Sequence, residues 1–195
     1  MGAINANAFN HQSRLAATGA SSDSQSNIVD EQGRILAYVR TGGMMSPERH
    51  VLEPGKKIFR FGASGRSPQA IAAGAWWVEQ SQFDKLFSFA QVHDIPLGMA
   101  VRCLCLVPPE WSDLGVLIRA RVSRELLSWR GLGDTVVTPR EGGGLVTLPH
   151  QNEIAARRLH QLFIPGLNGT GMPHAAMTIE AEYKMEDTRR GFLYL

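Results

Sequence analysis

The sequence predicts an α+β fold: a single domain of two packed, mostly antiparallel sheets with short flanking helices, preceded by a disordered N-terminal tail. Three observations predict it. Short apolar segments recur between glycine- and proline-bearing turns, as strands do. Helix signals concentrate in the first half of the chain and strand signals in the second. Residues 1–30 hold too few large apolar side chains to repay the entropy of ordering them.

Taken in order, the tail is carried by "NANAFNHQSRLAATGASSDSQSN", rich in Asn, Ser, Ala and Gln. The α+β domain spans 31–195 and begins near Ile35, where "RILAYVR" reads as a strand. Residues 57–61 form a short strand, and "GASGR" is the turn after it. Ser67 and Pro68 suit the N-cap and first position of a helix, because serine accepts from an orphan amide and proline lacks one. Gly74 then closes that helix in the left-handed conformation. "AWWVE" is a strand, and "SQFDKLFSFAQVHD" is a helix with Phe83, Leu86, Phe87 and Ala90 on one face. "PLGMAVRCLCLV" reads as a buried strand ending at Pro108 and Pro109, "GVLIRARV" as another, and "RELLSWRG" as a helical turn closed by glycine. "GDTVVTP" and "GLVTLP" are strands around the glycines at 142–144. "NEIAARRLH" is an ambiguous helix, and "QLFIPG", "AAMTIEAEY" and "GFLYL" are closing strands.

At 195 residues and 44% hydrophobic, the chain can bury a core without covalent staples. A formal charge of +2 names neither nucleic acid nor a membrane surface as partner. Cys103 and Cys105 sit two apart and would point the same way on a strand, which suits buried thiols of a reducing compartment better than a disulfide. No run approaches a membrane span, and the N-terminus lacks the basic and apolar regions of a signal peptide. The expected setting is a cytoplasmic fold, or one exported by a dedicated secretion system that reads the unfolded tail. Phosphate-loop, dinucleotide-fingerprint and hydrolase-elbow motifs are absent from the sequence. His150, His160 and His174 have neither the spacing of a zinc site nor a cysteine partner, so no metal is expected.

Arg60 carries the sharpest question. It stands between Phe59 and Phe61, which on a strand face the opposite way and leave Arg60 beside Ile58 and Gly62. A half-buried guanidinium is costly unless its planar donors meet an anion, and phosphate or carboxylate suits them. The stretch Gly62–Ser67 adds a glycine-bearing turn, Arg66 and a capped helix start, where free amides favour an anion.

"KKIFRFG" resembles the first core strand of ADP-ribosyltransferases, in which an arginine near small residues holds the phosphates of NAD. "GAWWVEQSQFDKLFSFAQ" lies where that family has a Ser-Thr-Ser strand running into a helix, and "QLFIPG" is similar to its third block, which opens on an acidic residue. The resemblance covers three short segments between Lys56 and Gly166. It implies a mono-ADP-ribosyltransferase of the bacterial toxin or effector kind, taking NAD as substrate, with a protein or other macromolecular acceptor and a cognate inhibitor protein as partners. Arg60 and Gly62 would then bind the diphosphate, and Trp77 or Phe83 would lie against nicotinamide. This chain departs from the pattern at Trp76 and Trp77, which replace serine and threonine, and at Gln161, which replaces the catalytic glutamate. Glu180 and Glu182 offer an E-x-E pair resembling that of arginine-modifying members, and Glu153 is a further carboxylate. A non-catalytic binding module that keeps the architecture is the competing reading.

Overall fold

The computed structural model describes residues 2–19, 27–29, 32, 34–38, 40–140 and 142–185. Its centre is built from strands whose residues alternate between two buried faces. Strand β1 (Asn27–Val29) pairs with β2 (Ile35–Tyr38) as a small ribbon. The short β3 (Arg40–Thr41) joins β9 (Val136–Pro139) and β10 (Leu145–Leu148) in a second sheet. The main sheet has seven strands: β4 (Met44–Leu52), β5 (Lys57–Gly62), β6 (Trp76–Glu79), β7 (Val116–Val122), β8 (Leu126–Gly133), β11 (His160–Phe163) and β12 (Met177–Lys184). They lie in the order β12-β7-β5-β6-β11-β8-β4 with every pair antiparallel. The α+β class and the antiparallel sheets are as the sequence predicts, and α3 (Gln80–Val92) is the predicted amphipathic helix.

Register explains why the core divides. Phe59 lies opposite Arg119 and Phe61 opposite Leu117, whereas Ile58 faces Ala120 and Arg60 faces Ile118. One face therefore buries Ile58, Ile118, Ala120, Trp77 and Leu162 together. The other buries Phe59, Leu117 and Val78 beneath α3 and α4 (Leu97–Cys105). Phe83 stacks on Phe59 with ring centroids 4.1 Å apart, so α3 is keyed to the sheet by an aromatic pair.

Several predicted elements take another form. "PLGMAVRCLCLV" is helix α4 rather than a strand: Leu97, Ala100, Val101 and Leu104 are its buried residues, at helical spacing. It begins at Pro96 and ends at Leu106 in the left-handed conformation, φ 59°. "RELLSWRG" is not helical but forms β8, held between β4 and β11. Gly131 there is no helix cap; a Cβ would stand 2.9 Å from the Met45 carbonyl oxygen of the neighbouring strand. "NEIAARRLH" keeps only a 3₁₀ turn, Ala155–Arg157. The predicted strand "GFLYL" lies outside the described residues.

The expected tail is corrected over residues 2–19, which pack on the domain. Asn5 is buried, donates from Nδ2 to the Leu127 and Pro165 carbonyls at 2.8 and 3.0 Å, and accepts from the Leu127 amide at 2.8 Å. Helix α1 (His11–Ala17) follows, opened by a reciprocal capping box between Asn10 and Ser13. Phe9 stacks on Trp129 at 4.2 Å, and the Trp129 indole donates to Ser13 Oγ at 3.0 Å. Thr18 and Gly19 then cross so close over Gly43 that a Cβ there would lie 2.4 Å from their backbone.

Candidate active site

The seven-stranded sheet parts between β5 and β6. The two strands share only the rungs Ile58–Glu79 and Phe59–Val78, after which β5 stays with β7 and β6 stays with β11. In the gap is a cavity of about 370 Å³ whose wall includes Arg60, Phe61, Gly62, Trp77, Asp134 and Gln161. Helix α2 (Pro68–Ala72) closes one end. It starts as predicted, with Ser67 Oγ accepting from the Ala70 amide at 3.2 Å and Pro68 in the first turn. Gly62 lets it approach, since a Cβ there would sit 2.7 Å from the Ile71 side chain.

Arg60 spans the gap. Its Nη1 donates to the Trp76 carbonyl on β6, a bond that replaces the missing rungs. Its Nε is buried without a hydrogen-bond partner, and among the described residues no carboxylate pairs with it. Burial first, and the neighbouring Arg66 second, lower its pKa to about 10. The group stays charged at neutral pH, so the shift registers the cost of holding a cation out of water.

Gly74 makes room for that cation. A Cβ there would lie 1.9 Å from Arg60 Nη2, and the residue has no positive φ, so the expected left-handed cap is corrected: glycine is needed for space. Helix α2 instead ends on Ala73 in the right-handed conformation. The Gly74 carbonyl accepts the Trp77 indole N–H at 2.8 Å, which fixes that ring in the wall.

The 63–67 turn is held from outside. Asp113 Oδ1 accepts from the Ser64 amide at 2.9 Å and from the Gly115 amide at 3.1 Å. These bonds, the Ser64 ones foremost, keep its carboxyl below the ordinary range. On the same loop as Asp113, Arg102 clasps the Val107 and Ser112 carbonyls at 3.2 and 3.0 Å, fixing the segment that carries the exposed Trp111 in the cavity wall. Leu106 and Leu114, both with positive φ, also line the cavity. Such backbone costs of order 1–3 kcal/mol each and gathers at functional sites.

Arg60, Gly62, Trp77 and Gln161 therefore share one cavity. Phe83 does not reach it; its ring is fully buried under Phe59. Glu180 and Glu182 do not line it either. Both are on the exposed face of β12, and Glu180 is taken by Arg119 at 3.3 Å and by Arg121. Glu153 is exposed on the loop before the 3₁₀ turn, and none of His150, His160 and His174 is in the wall. Gln161 Nε2 donates to the Cys105 carbonyl at 3.3 Å. The Cys105 thiol, pushed up to about 12 by burial, is a neutral wall group and no nucleophile. It sits on helix α4 with Cys103, both free, rather than on the predicted strand. Sequence reasoning missed Asp134, Trp111 and the role of Gly74. Among the described residues no helix is long and apolar enough to cross a membrane, and no group of three or more His, Cys, Asp or Glu could hold a metal ion.

No family model and no curated protein matches the chain. Among solved structures it is similar to Rhs1-CT in complex with its cognate immunity protein RhsI1, at 13% identity and a TM-score of 0.43, covering 78% of this chain and 88% of that one. It is also similar to Tne2 in complex with Tni2, at 13% identity and a TM-score of 0.37, covering 74% and 93%. Likeness this loose gives no residue correspondence.

Proposed function

We propose that the chain is an NAD-dependent mono-ADP-ribosyltransferase of the effector or toxin kind, transferring ADP-ribose from NAD to a macromolecular acceptor. One observation carries the reading: a buried guanidinium with no carboxylate partner among the described residues, reinforced by Arg66, reaches across parted strands into an otherwise largely apolar cavity. A cation so placed is costly until an anion meets it, and a diphosphate meets it with the geometry its donors favour. Phe61, Trp77 and Trp111 supply flat apolar surface for a ring beside the charged group. The ordered resemblance of three sequence blocks adds the choice of NAD. A protein acceptor and a cognate inhibitor protein belong to the same reading.

A non-catalytic binding module is the second reading, favoured by the amide at Gln161, which cannot carry the charge a glutamate would. Titration calorimetry with NAD on the wild type and on Arg60→Ala tests the first. Wild-type binding that weakens by about 10- to 100-fold in the variant is expected, the cost of a charged hydrogen-bonding partner. Flat isotherms for both proteins would end the NAD reading. Binding without any release of nicotinamide would leave the module.

A further inference from the structure

Resting on the NAD-cleaving reading, we infer that Asp134 is the catalytic carboxylate of this cavity, standing in for the acidic group absent at Gln161. Among the described residues that line the cavity, Asp134 alone carries a carboxylate.

Its neighbour relation to Gln161 is built by the strands. On β8 and β11, Gln161 lies opposite Gly131 and His160 opposite Leu132. Gly133 completes the approach: a Cβ at that position would stand 2.9 Å from Gln161 Nε2 and 3.1 Å from Leu106 Cδ1. The residue after this glycine is Asp134, one position beyond the backbone that meets the Gln161 amide, and both side chains belong to residues of the cavity wall. The segment is pinned on both sides. The Asp134 amide donates to the Gly43 carbonyl at 3.0 Å, and Asn152 Nδ2 donates to the Gly133 carbonyl at 2.9 Å.

The side chain is set as well. Asp134 Oδ1 accepts from the Thr135 amide at 2.7 Å, while Oδ2 meets no donor among the described residues. Burial first and Arg66 second, not a carboxylate, set the state of Arg60. The cavity thus holds its cations and its carboxylate as separate features, with no ion pair between them consuming either.

That separation suits breaking a glycosidic bond to a cationic leaving group. With the diphosphate at Arg60, the C1′–N1 bond of NAD breaks and its electron pair goes to the ring nitrogen, which departs as neutral nicotinamide. Positive charge moves onto C1′ and the ring oxygen, where the Asp134 carboxylate opposes it. An acceptor oxygen then forms the new bond at C1′, and its proton passes to Asp134 or to water. Gln161 contributes its carbonyl oxygen as an acceptor for a ligand hydroxyl, its Nε2 being held by Cys105.

The test uses the full-length chain. NAD affinity is measured by calorimetry, and nicotinamide release is followed in single turnover at pH 7, for wild type, Asp134→Asn and Glu182→Gln. Asp134→Asn should bind NAD within about threefold of wild type and release nicotinamide on the order of 100- to 1,000-fold more slowly. Asp134→Ser, which keeps an oxygen acceptor for the Thr135 amide, is held to the same expectation should Asp134→Asn not fold, and turnover by it within threefold of wild type overturns the assignment. Asp134→Asn turning over within threefold of wild type, or Glu182→Gln taking the loss instead, overturns it too, with the NAD reading intact. A wild type that binds no NAD removes both.

Discussion

At the scale of the residue, Gly74 and Arg60 act as one unit. The guanidinium fills the volume a Cβ would take, so the smallest side chain possible displaces the charge. Because the displaced atoms are the end of a flexible side chain, Gly74→Ala should shift unfolding free energy by no more than roughly 1–2 kcal/mol. Affinity for NAD or free pyrophosphate should fall by about tenfold or more, since the charge no longer lies on the gap. Thermal unfolding and calorimetry on the same preparation separate the two effects. A variant that binds as wild type does would show that the Arg60 position is not what the ligand uses.

At the scale of the element, Glu79 at the end of β6 ties together strands on one side of the gap. It meets His50 of β4 at 3.2 Å and Arg130 of β8 at 3.4 Å. The hydrogen bond to His50 is the largest cause holding its carboxyl below the ordinary value; burial opposes this, and Arg130 and Lys56 add to it. A depressed folded-state pKa contributes stability that is present above the unfolded value, about 4.3, and is lost as pH falls through the folded one. Glu79→Gln should therefore cost about 1 kcal/mol at pH 7, discounted for partial exposure, with the difference from wild type closing toward pH 3. Urea unfolding across that range measures it.

The elements also show what could be read in advance. Alternation at 57–61 and helical spacing at 83–90 were legible, because one face of each is buried and the other is not. "PLGMAVRCLCLV" was not: a continuous apolar run hides its period, and only the contacts of Leu97, Ala100, Val101 and Leu104 decide it. Reading β8 as a helical turn had a larger effect. A helix ending at glycine severs Gly133–Asp134 from "QLFIPG", whereas a strand beside β11 brings Gly133 against Gln161 and puts Asp134 in the same cavity wall. Arg60 was legible because a charge inside an apolar strand is conspicuous; Asp134 sits in a turn, where aspartate is ordinary.

At the scale of the whole molecule, residues 2–19 are part of the structure despite a composition that reads as a tail. Composition counts apolar groups, but this segment is held by placed polar ones. Asn5 alone bonds the backbone of β8 and of the loop after β11. Asn5→Ala would strip a partner from buried amide and carbonyl groups, at about 2–4 kcal/mol. A lower melting temperature with a nearly unchanged NAD affinity is the expected pair of results, and an unchanged melting temperature would mean that the segment only rests on the surface.

The parted strands have a mechanical consequence. Ile58–Glu79 and Phe59–Val78 are the last shared rungs, so the three strands on one flank and the four on the other meet there as at a hinge. The aperture beyond can widen or narrow by flexing about those rungs without breaking a ladder elsewhere, restrained by the Arg60 side chain that crosses it. A molecule that grips both lips at once would therefore set the opening of the whole sheet.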